Sequence, residues 1–241
     1  MVRGSIPLYT QGMLQPDLAH LARDLTRIHD AVITGASPPV QPRALVRRSW
    51  DRMLRLGLDP DGANARIVAD EAELETRRRK SRLRLVVEEM RSVLLRAPDA
   101  APFILVVTDA DGVILWRDGA ASARRQADEL GFVEGAHWSE AKVGTNAIGT
   151  ALTEEAPVQL FSAEHFEASQ HPWYCSAVPV HDPHDGTLLG VVDISGPAMT
   201  LHPAVQSLVT TAVRLAEARL MIAQQEALNT LRDRMSAMLA G

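Results

Sequence analysis

The residues best placed to do chemistry fall in one stretch, HWSEAKVGTNAIGTALTEEAPVQLFSAEHF, residues 137–166. It gathers Gly144 and Gly149, small hydroxyl residues and an aromatic where a loop should meet a short helix. A helix N-terminus offers free N–H groups and the positive end of the helix dipole to an anion or a polar ligand atom. Gly144, Thr145 and Asn146 would let a ligand approach that backbone, so the segment reads as a pocket wall. A phosphate-binding loop is excluded, because Thr150 follows Gly149 where that motif requires lysine.

Other reactive side chains give weaker patterns. His165, His171 and His181 with Glu164 are the raw material for a metal site, yet their spacing fits no compact ligand motif. No metal or other cofactor is expected. A carboxylate beside a histidine more often orders a loop, and His165 reads as a cap for the helix that follows it. Cys175 sits in an apolar strand pattern, as a small buried hydrophobe rather than a nucleophile. Trp138 and Trp173 are core anchors or aromatic walls of the pocket, and the residues alone leave both roles open. Asp193 interrupts the apolar run VVDISG, so its carboxylate must find donors or face the pocket; tying the following loop is the preferred role. Asp109 and Asp111 are turn residues.

These groups must be positioned by a mixed set of elements. PDLAHLARDLTRIHDAVI repeats Leu18, Leu21, Leu25, Ile28 and Val32 at helical spacing and runs into the linker GASPPVQP. A second helix puts Val46, Trp50, Met53 and Leu54 on one face and stops at Gly57. Glu71 to Arg96 is again helical, and its basic run RRRKSRLR reads as a solvated face balanced by nearby glutamates, with a nucleic-acid patch as the alternative. From Pro102 the texture turns to strands. FILVVTDADGVILWRD predicts a hairpin with Gly112 in the left-handed turn position, and WYCSAVPVHDPHDGTLLGVVDISG predicts a second. A helix near Ala120 to Leu130 and a strand at PVQLFS complete an α+β pattern with an antiparallel sheet. From Pro203 to Leu239 a long helix carries a heptad-like seam of Val209, Val213, Ala216, Leu220, Ala223 and Ala227, continued by Leu231 and Met235. Such a seam favours a parallel homodimer, or a signalling helix into another domain, while its first half suits packing on the helix's own sheet.

Composition narrows the classes. With 46% hydrophobic residues in 241, the chain can bury a sizeable core. A net charge of -5 argues against binding nucleic acid through a broad basic surface. One cysteine, no apolar signal core near the start and no membrane-length apolar run predict a cytoplasmic chain with no membrane association.

The segments WSEAKVGTNAIGTAL, EHF, WYCSAVPVHDP and GTLLGVVDISG, in that order, resemble the GAF domain of bacterial activators that govern acetoin, glycerol and similar catabolic operons. SWDRMLRLGLDP resembles the helical lead-in those regulators carry, so the similarity runs from about Ser49 to Leu220. It implies a GAF-like central antiparallel sheet with flanking helices, a helical N-terminal preamble and a long C-terminal helix. It implies an N-terminal helix and linker over 1–40, a lead-in over 41–100, a sensor domain over 101–202 and a signalling or dimerisation helix over 203–241. By position, Trp138, Glu140, Gly144, Thr145, Asn146, Gly149, Glu164, His165, Phe166, Trp173 and Cys175 fall in motifs that surround or support a ligand pocket. The implied role is a non-catalytic ligand sensor for transcription, with a small-molecule effector. DNA would be reached only through a separate or missing output domain, since neither a Walker A motif nor a recognition helix is present. Two rivals remain: a dimerising scaffold with no ligand, and a GAF-fold redox enzyme, which the lack of a second resolving thiol disfavours. Haem through a histidine is known in such sensors, but no distinctive pattern points to it here.

Overall fold

A computed structural model describes residues 17–61, 68–95 and 103–240. Helix α1, Leu18–Ile33, begins at Asp17, whose carboxylate accepts from the His20 N–H at 3.0 Å, and buries Leu25, Ile28 and Val32. Helix α2, Ala44–Leu56, ends on Gly57 at φ 71°, where a left-handed residue is required. Its buried face is Val46, Ser49, Trp50 and Met53, while Leu54, predicted to share it, is exposed.

The helix expected from Glu71 to Arg96 is instead broken, and Arg96 and Pro102 lie outside the described residues. Helix α3, Glu71–Lys80, stops at Ser81, which turns extended at ψ 130° and accepts the Leu83 N–H on its own hydroxyl. A short serine side chain competes with the helical bonds in just this way. A single 3-10 turn, Arg82–Leu85, then leads into α4, Val87–Leu95. The basic run is neither an open patch nor a wholly solvated face. Arg77 pairs with Glu73, Asp109 and Asp111, and Arg78 with Glu75 and Glu134. Arg82 reaches Asp182. The pairs of Arg77 with Asp109 and Asp111 and of Arg82 with Asp182 fasten α3 and the 3-10 turn to the two hairpin turns.

Five strands, β1 Ile104–Asp109, β2 Ile114–Gly119, β3 Val158–Phe161, β4 Trp173–His181 and β5 Leu188–Pro197, form one antiparallel sheet in the order β2-β1-β5-β4-β3. Both predicted hairpins are present, with Gly112 at φ 87° in the first turn and Gly186 at φ 76° in the second. Between β2 and β3 lie α5 Ala121–Glu129, α6 Glu140–Val143 and α7 Ala147–Glu154. Helix α7 covers β3, β4 and β5, whereas α4 lies on β1 and on the long helix α8, Val205–Ala240, which crosses β4 and β5. Strand alternation divides the sheet residues between those layers: Cys175, Asp193 and Ser195 turn toward α7, and Tyr174, Val178 and Ile194 the other way.

The predicted seam of α8 divides. Val209, Val213, Ala216 and Leu220 are buried on the domain itself, Ala223 is half-buried, and Ala227, Leu231 and Met235 are exposed. No described helix is long and apolar enough to cross a membrane.

The N-terminal helices are part of this core. Trp50 is fully buried, its indole N–H donating to the Glu164 carbonyl at 3.1 Å, with the His29 ring edge-on at 5.3 Å. Removing a buried tryptophan costs about 3–5 kcal/mol. Trp50→Ala should therefore lower the urea midpoint by that equivalent; a loss below about 1 kcal/mol would mean that α2 is not docked on the sheet domain.

Candidate functional site

The segment 137–166 folds around one buried carboxylate. Glu140, at the start of α6, is 4% exposed and accepts at Oε1 from the Ser49 hydroxyl at 2.5 Å and the Thr150 hydroxyl at 2.7 Å. Arg52 of α2 closes a fork on it, at 2.9 Å and 3.0 Å, and also reaches Glu154 at 2.9 Å. Hydrogen bonding to Glu140 raises the Arg52 guanidinium, and pairing with Arg48 and Arg52 lowers Glu154. Thr145 meets Ser49 through their hydroxyls at 2.6 Å. A second clamp lies beside it, where Arg43 binds Glu164 at 2.6 Å and 2.8 Å and the Gln159 carbonyl at 2.7 Å. Glu164 also accepts the Phe161 N–H at 3.0 Å.

The glycines serve close packing. At Gly144, with φ 74°, a Cβ would stand 2.8 Å from the Phe166 ring; at Gly149 it would stand 2.3 Å from the Glu140 nitrogen. Asn146 caps α7 with its own side chain, accepting from the Gly149 N–H and donating to the Gly144 carbonyl, both at 2.9 Å. One of the N–H groups at the helix N-terminus read as open to an anion is thus taken by the chain itself.

Next to this scaffold is a narrow, closely packed cavity of about 20 Å³, room for roughly one water-sized sphere. Its roof is Asn146, Ala147 and Ile148; its walls are Leu130, Phe132, Trp138, Gln170 and Trp173; its floor is Cys175, Asp193 and Ser195. Phe132 and Trp138 meet edge to face with ring centroids 4.4 Å apart, so one aromatic pair both packs the core and lines the space.

Of the eleven residues singled out from sequence, Trp138, Asn146, Trp173 and Cys175 line this cavity. Glu140, Gly144, Thr145, Gly149, Glu164 and Phe166 stand behind its wall in the packing and clamps just described. His165 is fully buried with Nδ1 on the Ser162 carbonyl at 2.9 Å, and burial pushes it down to about 4, so it is neutral. It closes the preceding turn, Ser162–Glu164, rather than capping a following helix, because its N–H also returns to Ser162. His171 is likewise pushed down to about 4 by burial and by His29, whose ring it meets edge-on at 4.8 Å. No metal-binding cluster occurs among the described residues. The lining residues that the motifs missed, Phe132 and Gln170 among them, sit in stretches whose periodicity carries no polar signal. Asp193 was the exception. Its Oδ2 takes the Ser195 hydroxyl two residues along the same strand, not a loop, and burial raises it to about 7. Burial also raises the Cys175 thiol, the opposite of what a nucleophile needs.

The pattern of the family described as MimR, N-terminal domain, matches residues 22–217. The chain is 38% identical over 211 residues to an uncharacterized 47.3 kDa protein of the thcA 5' region in Rhodococcus erythropolis, covering 85% of this chain and 48% of that protein. It is 36% identical over 185 residues to the acetoin dehydrogenase operon transcriptional activator AcoR of Bacillus subtilis, covering 76% of this chain and 30% of the activator. The chain thus spans half or less of these relatives. In the crystal structure of the E. coli DhaR(N)-DhaL complex, a chain superposes with a TM-score of 0.72 at 24% identity, over 81% of this chain and 66% of that one, a similarity of fold.

Asp193 should dominate one part of the pH dependence of stability. Between its ordinary value of 3.8 and its folded value of about 7, the folded chain holds a proton that the unfolded chain has released. Stability therefore falls across that window and the slope vanishes above it. Asp193→Asn should match the parent near pH 4 and exceed it at pH 8 by up to about 4 kcal/mol in urea unfolding. A difference that is flat with pH would refute the buried, unpaired state of the carboxyl.

Proposed function

The chain belongs to the MimR N-terminal domain family, and from that premise we propose that it is the GAF-type sensory region of a bacterial transcriptional regulator. A small metabolite enters the cavity between the sheet and α7, and its binding is passed to the terminal helices. The single observation carrying this is the juxtaposition of the aromatic-walled cavity with α7, whose Thr150 is bonded to Glu140 and through it to Arg52 of α2. Occupancy that shifts Asn146 or Ile148 moves the same rigid unit. A ligand biases a two-state element only through unequal affinity for the two states, and the long helix α8 supplies an element with two possible packings. Trp138, Asn146, Trp173 and Cys175 are the proposed contact residues; the other seven support them.

The sensor domain proper would run over 101–202, with 1–40 and 41–100 as helical lead-in and 203–241 as the output helix. The relatives are longer and one is named a transcriptional activator, so DNA binding is assigned to a region outside this one. The high-lying Cys175 thiol and the absence of a second cysteine favour a non-catalytic role.

Beyond Gln224, α8 presents Leu228, Leu231, Met235 and Met238, all more than half exposed and spaced three and four apart. That is an a/d stripe, and it would bury itself against the same helix of a second copy. Truncation after Gln224 should convert a dimer to a monomer in sedimentation velocity with little change in the melting temperature of the domain. A parent chain that sediments as a monomer would remove the dimer.

The sensor role is tested by a thermal-shift screen of small alcohols, ketones, diols, aromatics, cyclic nucleotides and metal ions. A ligand that binds only the folded state at 100 times its Kd adds about 2.7 kcal/mol. The hit should be an uncharged organic molecule, and Ala147→Val, which takes up the small room under the roof, should abolish its shift. A hit that survives this substitution would place the site elsewhere.

A further inference from the structure

The outer strand of a sheet presents unpaired N–H and C=O groups to which another chain can add. In this sheet both outer strands, β2 and β3, are closed in the same way. On β3, Arg43 donates to the Gln159 carbonyl at 2.7 Å and Glu164 accepts the Phe161 N–H at 3.0 Å, while the two side chains pair at 2.6 Å. On β2, Arg78 donates to the Leu115 carbonyl at 2.7 Å and Glu134 accepts the Arg117 N–H at 3.0 Å, while those two pair at 2.7 Å. Each arginine–glutamate pair thus takes a carbonyl and the N–H two residues further on, an acceptor and a donor that an added strand would engage. The Ile114 N–H beside them is taken by the Ala136 carbonyl at 2.9 Å.

The two closures are not held equally. Glu164 is 2% exposed, whereas the Glu134 side chain is 38% exposed. A pair as open as Arg78 with Glu134 adds roughly 0–1 kcal/mol, too little to serve as a main support of the fold. Helix α3, which carries Arg78, buries only Leu74, and that leucine joins Val113 and Leu115 in a small cluster apart from the main core. Its other ties are the ion pairs of Arg77 with Asp109 and Asp111. An open cleft of about 390 Å³ lies between the Glu73 and Arg77 side of α3 and Gly135, His137 and Ser139.

We propose that Arg78 and Glu134, carried with α3, are a releasable guard on β2 that keeps this strand from pairing with β2 of a second copy. Arg43 and Glu164 are its fixed counterpart on β3. A second copy is the strand at hand, because every copy bears the same edge and two such edges meet antiparallel about a two-fold axis.

The test compares the full chain with Arg78→Ala/Glu134→Ala, with that pair plus Leu74→Ser to lift α3, and with Arg47→Ala/Asp51→Ala, which removes an ion pair confined to α2. Sedimentation velocity over a concentration series and amide hydrogen exchange read the outcome. In dilute Arg78→Ala/Glu134→Ala the Arg117 N–H should exchange about tenfold faster, as for one lost hydrogen bond, with the melting temperature little changed. At higher concentration the variant should shift to species heavier than the parent's, and the Arg117 N–H should become protected again. Leu74→Ser should strengthen both shifts, whereas Glu134→Gln alone, which keeps an acceptor for that N–H, should stay at the parent's mass. If the double variant loses its cooperative melt, Glu134→Ala alone, which frees only the Arg117 N–H, carries the same readings. Association of the α2 control, association without renewed protection of Arg117, or α3 amides that exchange freely in the Leu74→Ser variant while its mass stays at the parent's would each overturn the guard.

Discussion

The arrangement depends on the need to satisfy one buried negative charge. Glu140 is placed by α6 where water hardly reaches it, and an isolated carboxylate there would cost several kcal/mol. Ser49 and Arg52 from α2 and Thr150 from α7 supply the missing donors. Meeting that requirement fixes three elements at once. It is also why α2, nearly ninety residues away in sequence, is integral to the wall behind the cavity. A two-pronged arginine fork constrains direction as well as distance, so the mutual orientation of α2, α6 and α7 is specified and not merely allowed.

The same logic, applied with the opposite outcome, describes the cavity floor. Glu140 has its donors and a cationic partner; Asp193 has a single hydroxyl and no cation. Two carboxyl groups in one domain thus sit in two environments, one bonded to a cation, the other pushed toward neutrality by desolvation. His165 belongs to the desolvated regime as well and, held neutral, bonds the Ser162 carbonyl, while the buried His29 ring bonds the Phe166 carbonyl at 3.0 Å.

Helix α8 joins the domain to whatever lies beside it. Its first half is held by the apolar residues that pack on β4 and β5, and by Glu217, which accepts the His181 N–H at 2.9 Å. Its second half makes no comparable burial among the described residues. At 1.5 Å per residue the 36-residue helix spans roughly 50 Å.

By itself the sequence determined most of the elements and the pairing within the two hairpins. The hairpins followed from β-rich runs around ADG and DPHDG, α1 and α2 from three- and four-residue spacing, and the family from motifs spread over most of the chain. It did not determine the break at Ser81, because a serine that ends a helix and one that rides within it are the same letter until its hydroxyl finds a partner. Nor did it separate wall from support at the site. Gly144, Thr145 and Gly149 read as an approach for a ligand; tertiary packing set Phe166 against one glycine, the Glu140 backbone against the other, and Ser49 on the threonine. Glycine permits close approach without saying by what. The part of α8 that meets its own sheet and the part that does not were likewise decided by where the sheet ends, since periodicity records that a face is apolar and never what covers it.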